Sequence, residues 1–262
     1  MVAFTAEQLY GWINAFVWPF VRMLALIATA PVFGESSTPR RAKIGLAALL
    51  AVAVSPALPP LPQVPPASFD GLFITMQQVW VGLALGYAMR IAFAAVQMAG
   101  EFIGLQMGLS FASFFDPATG VNTAVLSRLL NIVAMLLFLA LDGHLVLLSI
   151  LVRSFEVVPI STAPLAGAGW GMLLEWTAQL MVMGLLLALP LIIALLTINL
   201  SMGILNRTAP QLSVFAVGFP LSLTVGIVLL TVILPEITPF MERLFVQAYE
   251  AMGRILTGLS GT

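Results

Sequence analysis

The chain has 262 residues, of which 61% are hydrophobic and only 8% charged, against about 25% charged in soluble domains, so an ordinary water-facing surface is excluded. A net charge of −1 leaves no basic patch for nucleic acid, whose phosphates require clustered Lys and Arg. With no cysteine, disulfides, thiolate metal sites and iron–sulfur clusters are excluded as well.

The first residues, MVAFTAEQLYGW, lack a basic leader and carry Glu7, so they read as part of a retained span and not as a cleavable secretory signal. Six segments approach the ~20 apolar residues that a helix needs to cross a bilayer core. They are Leu9 to Pro31, Ile44 to Leu58, Leu72 to Met98, Leu129 to Leu151, Trp176 to Leu200 and Val214 to Leu234. The second is short. The fourth is interrupted by Asp142 and His144, and the fifth contains Pro190. Strands are not expected, because the runs are long and lack period-2 alternation. The fold class is therefore all-α, a multi-helix integral membrane protein.

The connectors differ in character. Gly34 to Lys43 holds Arg40, Arg41 and Lys43. The proline-rich SPALPPLPQVPPAS, Ser55 to Ser68, reads as an extended, semi-rigid link. Val158 to Gly171 reads as a loop and as the boundary between two halves. If the Arg40 connector is cytoplasmic, six spans place Arg90, Arg128 and Arg207 on that side and both termini outside. After Pro235, Thr238 caps and Pro239 opens an amphipathic helix. Its apolar face is Met241, Leu244, Phe245, Ala248, Met252, Ile255 and Leu259. Its polar face is Glu242, Arg243, Gln247, Glu250 and Arg254. It is expected to lie on the membrane or dock on a partner.

Catalytic chemistry has little to work with, and neither an enzyme nor a cofactor is expected. His144 is the only histidine, which rules out a multi-histidine metal site. It lies near Asp142, but no G-x-S-x-G elbow and no P-loop accompanies them. Arg22, Arg90, Glu101 and Arg128 fall in or beside apolar stretches. Each would cost about 2.5 kcal/mol or more in hydrocarbon. These buried-charge candidates are expected to face protein, a partner or water, as structural ion pairs, for instance Glu101 with Arg90 or Arg128; the sharper alternative is a proton or ion relay.

Gly82 and Gly86 are spaced four apart, as are Gly100, Gly104 and Gly108. On a helix they form smooth stripes for close packing, within the chain or between subunits. After them comes GLSFASFFDPATGVNT, Gly108 to Thr123, with turn signals at Asp116, Pro117 and Gly120 and a cluster of Phe111, Phe114 and Phe115. Such a loop is either a hydrophobic constriction that gates a pore or an aromatic anchor at the interface.

These runs carry a resemblance. GLSFASFFDPATGVNT, GILNRTAPQLSVFAVGFPLSL (Gly203 to Leu223) and RMLALIATAPVFG (Arg22 to Gly34) resemble the FliR family of flagellar export-gate proteins, which also includes the SctT proteins of virulence secretion. The likeness extends over essentially the whole chain. It implies a single-copy subunit that surrounds, with FliP and FliQ homologues, a narrow channel for unfolded export substrates. It implies a FliP-like helical portion, residues 1–170, followed over 171–262 by a FliQ-like hairpin and the amphipathic helix. Residues of about 105–123 would be the plug loop, with Phe111, Phe114, Phe115, Asp116 and Pro117 closing the pore. The hairpin turn, Asn206, Arg207, Thr208, Ala209, Pro210 and Gln211, would face an FlhB homologue, and an FlhA homologue would be a further partner. The resemblance places the protein in the bacterial inner membrane, in the flagellar basal body, with the assembled gate largely on the periplasmic side. Two rivals are a stand-alone transporter or permease subunit, for which no repeat between the halves is found, and a membrane-embedded enzyme built on Asp142, His144 and Glu101.

Overall fold

Backbone groups in an apolar medium must be paired within the chain, and the helix does this within a single segment. The computed structural model describes residues 6–109, 125–208 and 217–261, and among them every regular element is helical. In chain order these are α1 (Ala6–Thr29), α2 (Arg40–Val54), a 3₁₀ turn (Ser55–Ala57), α3 (Phe69–Gln106), α4 (Val125–Ala140), α5 (Gly143–Val157), α6 (Ala168–Thr208) and α7 (Phe219–Ser260).

The ends of these helices follow from local chemistry. Beyond α1, Val32 holds φ 68 and the Phe33 amide donates to Pro31 O at 2.8 Å, a tight γ-turn that a β-branched residue enters only under strain. Helix α2 gives way at Ser55-Pro56 to the 3₁₀ turn and then to the extended proline-rich link. Asn14 of α1 ties that link down, its Nδ2 donating to Val64 O at 2.9 Å. Ser68 caps α3, accepting from the Gly71 amide at 3.1 Å, with Asp70 favourably placed in the first turn. At the other end of α3, Gly108 has φ 79. The Leu109 amide reaches back to Gly104 O at 3.0 Å and the Gly108 amide to Leu105 O at 3.1 Å, which is a Schellman stop. Between α4 and α5, Asp142 takes φ 54 and the chain bends there.

Among the described residues four helices are long and apolar enough to cross a membrane, or up to five spans if the bent α4–α5 pair counts as one. This corrects the expected six. Helix α2 has only 15 residues, and Arg40, Arg41 and Lys43 form its first turn instead of lying in the preceding connector. Pro190 does not shorten α6, which runs 41 residues through it. Pro235 and Pro239 do not end or start a helix either: α7 continues through both for 42 residues. Each proline removes one helical N–H and so leaves one carbonyl bare, a loss that apolar helices tolerate.

Two compact units divide the chain, and they cut across its order. The first comprises residues 1–91, 141–177 and 245–262. Its core holds Trp18, Met23, Leu26, Ile74, Leu85 and Phe155, all at most 2% exposed. Trp176 donates its indole N–H to Ala88 O at 2.8 Å. The end of α7 belongs here: Gly169 meets Leu259, and the Ala166 amide donates to Leu259 O at 2.9 Å. All seven residues of the expected apolar face, from Met241 to Leu259, are buried, and the five of the polar face are exposed. The amphipathic pattern is thus correct, but this face packs in the chain's own core, not on lipid or a partner.

The second unit comprises residues 92–140 and 178–244. Phe93 and Phe138 meet edge-to-face at 5.6 Å. Gly184 lies against Ala95 O, and Ser222 donates to Asn199 Oδ1 at 2.9 Å.

Gly108→Val should fray the end of α3, because a β-branched residue at positive φ costs roughly 1–2 kcal/mol. Hydrogen exchange at the Gly108-position and Leu109 amides should quicken, while Gly108→Asn, which tolerates that conformation, should change it far less.

Candidate functional site

Arg22 is fully buried in the first unit. Its Nε donates to Gln78 Oε1 at 2.8 Å, Nη1 to Ser154 O at 2.8 Å and Ser154 Oγ at 3.0 Å, and Nη2 to Val158 O at 2.9 Å. The guanidinium lies 4.2 Å from the centre of the Phe155 ring. None of these partners carries a charge. The expected ion pair is replaced by the C-terminus of α5, whose last carbonyls and dipole favour a cation. Gln78 is held in turn on Ile74 O at 3.3 Å, and Ser154 Oγ donates to Leu151 O at 2.6 Å. The sequence marked Arg22 but not its acceptors; a glutamine and a serine in apolar runs were the available signal.

The other three charges are not covered by this chain. Arg90, Glu101 and Arg128 are exposed, and among the described residues none makes an ion pair, so the Glu101–Arg90 and Glu101–Arg128 pairs are not formed. The reason is visible on α3. Residues Tyr87, Arg90, Gln97, Glu101 and Leu105 recur at helical spacing on its exposed stripe, while the rest of the helix is largely enclosed.

The glycines have separate roles. In the first unit, a Cβ on Gly82 would collide with Arg22 O, and one on Gly86 with the Thr29 hydroxyl, so these two seat α3 directly on α1. In the second unit, Gly100 lies against the backbone of Ser127 at the start of α4, with Ser127 N only 2.6 Å from where a Cβ would stand. Gly104 has only ordinary contacts, the nearest being Leu109 Cδ1 at 3.8 Å. Gly108 lies beyond the helix, as its stop, and is not part of the stripe. Close approach at Gly82, Gly86 and Gly100 therefore occurs within the chain.

Phe111, Phe114, Phe115, Asp116 and Pro117 lie outside the described residues, as do Ala209, Pro210 and Gln211. Asn206, Arg207 and Thr208 form the exposed last turn of α6. Asp142 and His144 flank the bend between α4 and α5, and among the described residues no three His, Asp or Glu side chains are grouped as a metal site requires.

A large apolar surface remains. In the most apolar window of each helix, 67% of α3 is buried but only 28% of α6 and 17% of α7. Leu174, Met181, Val182, Leu186, Ile193, Leu200 and Ile204 of α6 are each at least 55% exposed, and Val228 and Val232 of α7 likewise. A surface so greasy belongs against lipid or other protein.

Arg22→Met should destabilise the chain by about 3 kcal/mol, because it strands buried acceptors that had been bonded to a charged donor. Thermal unfolding in detergent measures this, and Arg22→Lys should recover only part, since an ammonium cannot span acceptors on α3 and α5 together. Gly82→Val should cost about 1–3 kcal/mol through overpacking against α1.

The model of the bacterial export proteins, family 1, matches residues 13–248. The flagellar biosynthetic protein FliR of Escherichia coli (strain K12) is 49% identical, over 99% of this chain and 99% of that protein. Its namesake from Pectobacterium carotovorum subsp. carotovorum is 50% identical over the full length of both. That of Bacillus subtilis (strain 168) is 30% identical over 92% of this chain and 94% of the relative. Helix content, apolar helices long enough to span a membrane and likeness along the entire chain agree: the chain belongs to family 1 of the bacterial export proteins, with the flagellar biosynthetic proteins FliR.

Proposed function

We propose that this chain is one subunit of a type III export gate of the bacterial flagellum, assembled with FliP and FliQ homologues around a channel for unfolded substrates. The observation that carries the reading is the exposed apolar surface of α6 and α7. At ~1.5 Å per residue, helices of 41 and 42 residues are roughly 60 Å long, about twice the ~30 Å of a hydrocarbon core. Exposed apolar side chains run along α6 from Leu174 to Leu205 and along α7 from Phe219 to Val246, farther than lipid alone would cover. Neighbouring apolar protein accounts for the excess, and a gate standing largely on the periplasmic side of the inner membrane supplies it. The names of the relatives, flagellar biosynthetic proteins over the whole chain, support the flagellar setting in the basal body.

Within that assembly residues 1–170 act as the FliP-like portion and 171–262 as the FliQ-like hairpin with its terminal helix. Phe111, Phe114 and Phe115, turned at Asp116 and Pro117, stopper the lumen at rest and move aside during export. The Schellman stop at Gly108 supports this role, because it fixes where α3 releases the chain into that segment. The exposed last turn of α6, Asn206 to Thr208, leads into the turn that meets the FlhB homologue, with the FlhA homologue close by. The chain is a passive conduit part; the driving energy comes from other components.

Tagged chain, co-expressed with its FliP and FliQ homologues and extracted in mild detergent, should bring both down; recovery of the chain alone would end the proposal. Deleting residues 111–120 should leave assembly intact and raise the ion permeability of the resting gate severalfold, and an unchanged permeability would remove the plug.

A further inference from the structure

In the second unit, α3 and α4 run antiparallel and touch backbone to backbone at Gly100 and Ser127. One turn away, Gln97 Nε2 donates to Asn131 Oδ1 at 2.9 Å, closing the seam on its exposed side. Glu101 follows Gly100 and Arg128 follows Ser127, so two opposite charges stand on the same seam. Both are exposed, and among the described residues neither has an ion-pair or hydrogen-bond partner, although the seam brings their helices into contact. Their surroundings are apolar: Leu105 on α3, and Val125, Leu129 and Ile132 on α4, are each at least 48% exposed. Arg128 also sits in the first turn of α4, where the helix dipole disfavours a cation. A carboxylate and a guanidinium set in a greasy face cost several kcal/mol together if lipid covers them.

We propose that Glu101 and Arg128 are docking charges, forming with Gln97 and Asn131 a polar notch that a membrane helix of a different subunit fills, presenting a basic side chain to Glu101 and an acidic one to Arg128. Charge complementarity selects that occupant. Lipid tails offer no counter-charge, whereas a helix bearing both signs satisfies the notch and buries the leucines beside it. In this way the notch sets register and partner choice, as charged pairs do at other helix interfaces. The inference rests on the reading of the chain as a subunit of the gate, and it assigns one face of that subunit to a neighbour of stated chemistry.

Charge reversal tests it. Glu101→Arg and Arg128→Glu, made singly in tagged full-length chain co-expressed with the FliP and FliQ homologues, should each reduce co-purified partner at least tenfold. The double reversal should not restore it, because the partner's charges are unchanged. Restoration by the double reversal would mean that the two residues pair with each other, within the chain or across two copies of it, and would overturn the proposal. Full co-purification of both single variants would overturn it too, leaving lipid or water over the notch. If a reversal variant loses its helical signal or its melting transition in detergent, Glu101→Gln and Arg128→Gln take its place, with a loss of about threefold expected. The unmodified chain separates the two levels: if it recovers no partner, the gate reading falls and this inference with it, whereas partner recovery unaffected by any variant removes the docking charges alone.

Discussion

A guanidinium enclosed in apolar protein must find acceptors for its donors and something to offset its charge, and Arg22 finds both at one helix end. The carbonyls of Ser154 and Val158 close α5, and the dipole of that helix takes the place of a counter-ion. Gln78 adds an acceptor from α3. Three helices distant in sequence are therefore registered by one side chain in the first unit. Pro159 follows the cap of α5, so the helix stops where those carbonyls are needed. The close seating of α3 on α1 at Gly82, against Arg22 O itself, belongs to the same arrangement.

Glycine and proline divide their duties differently here than in a water-soluble fold. Prolines 190, 235 and 239 sit inside helices without ending them. In an apolar surrounding, opening a helix exposes several more unpaired groups than the one carbonyl a proline bares, so continuity is the cheaper state. Glycine, by contrast, both ends a helix, at Gly108, and lets backbones meet, at Gly82, Gly86 and Gly100. The α3–α4 seam at Gly100 and Ser127 is of this second kind.

The surface is not that of a water-soluble molecule. Arg22 inside is bonded through all three of its guanidinium nitrogens, whereas Arg90, Glu101 and Arg128 outside have no partner among the described residues. Helices α6 and α7 expose leucine, isoleucine and valine for much of their length. Such a molecule is a folded chain whose outer faces belong against lipid or other protein, in keeping with a family of export proteins whose members carry flagellar biosynthetic names.

Composition alone determined the membrane character, since too few charges exist to coat a soluble surface, and the length of the apolar runs determined the helices. Spacing determined the amphipathic faces of the terminal segment residue by residue, because side-chain direction follows helical period whatever the helix packs on. Motif wording carried the family. What the chain could not disclose by itself was long-range. Whether that apolar face meets lipid or its own core depends on Gly169 and Leu259 coming together across some ninety residues. Which charges are buried depends on where α5 happens to end beneath Arg22, and on which stripe of α3 is left uncovered. Local propensity also misjudged the prolines, because their cost is set by the medium, which tertiary packing and the membrane supply. Pattern is a property of neighbours in sequence; burial and pairing are properties of neighbours in space, and only the folded chain decides those.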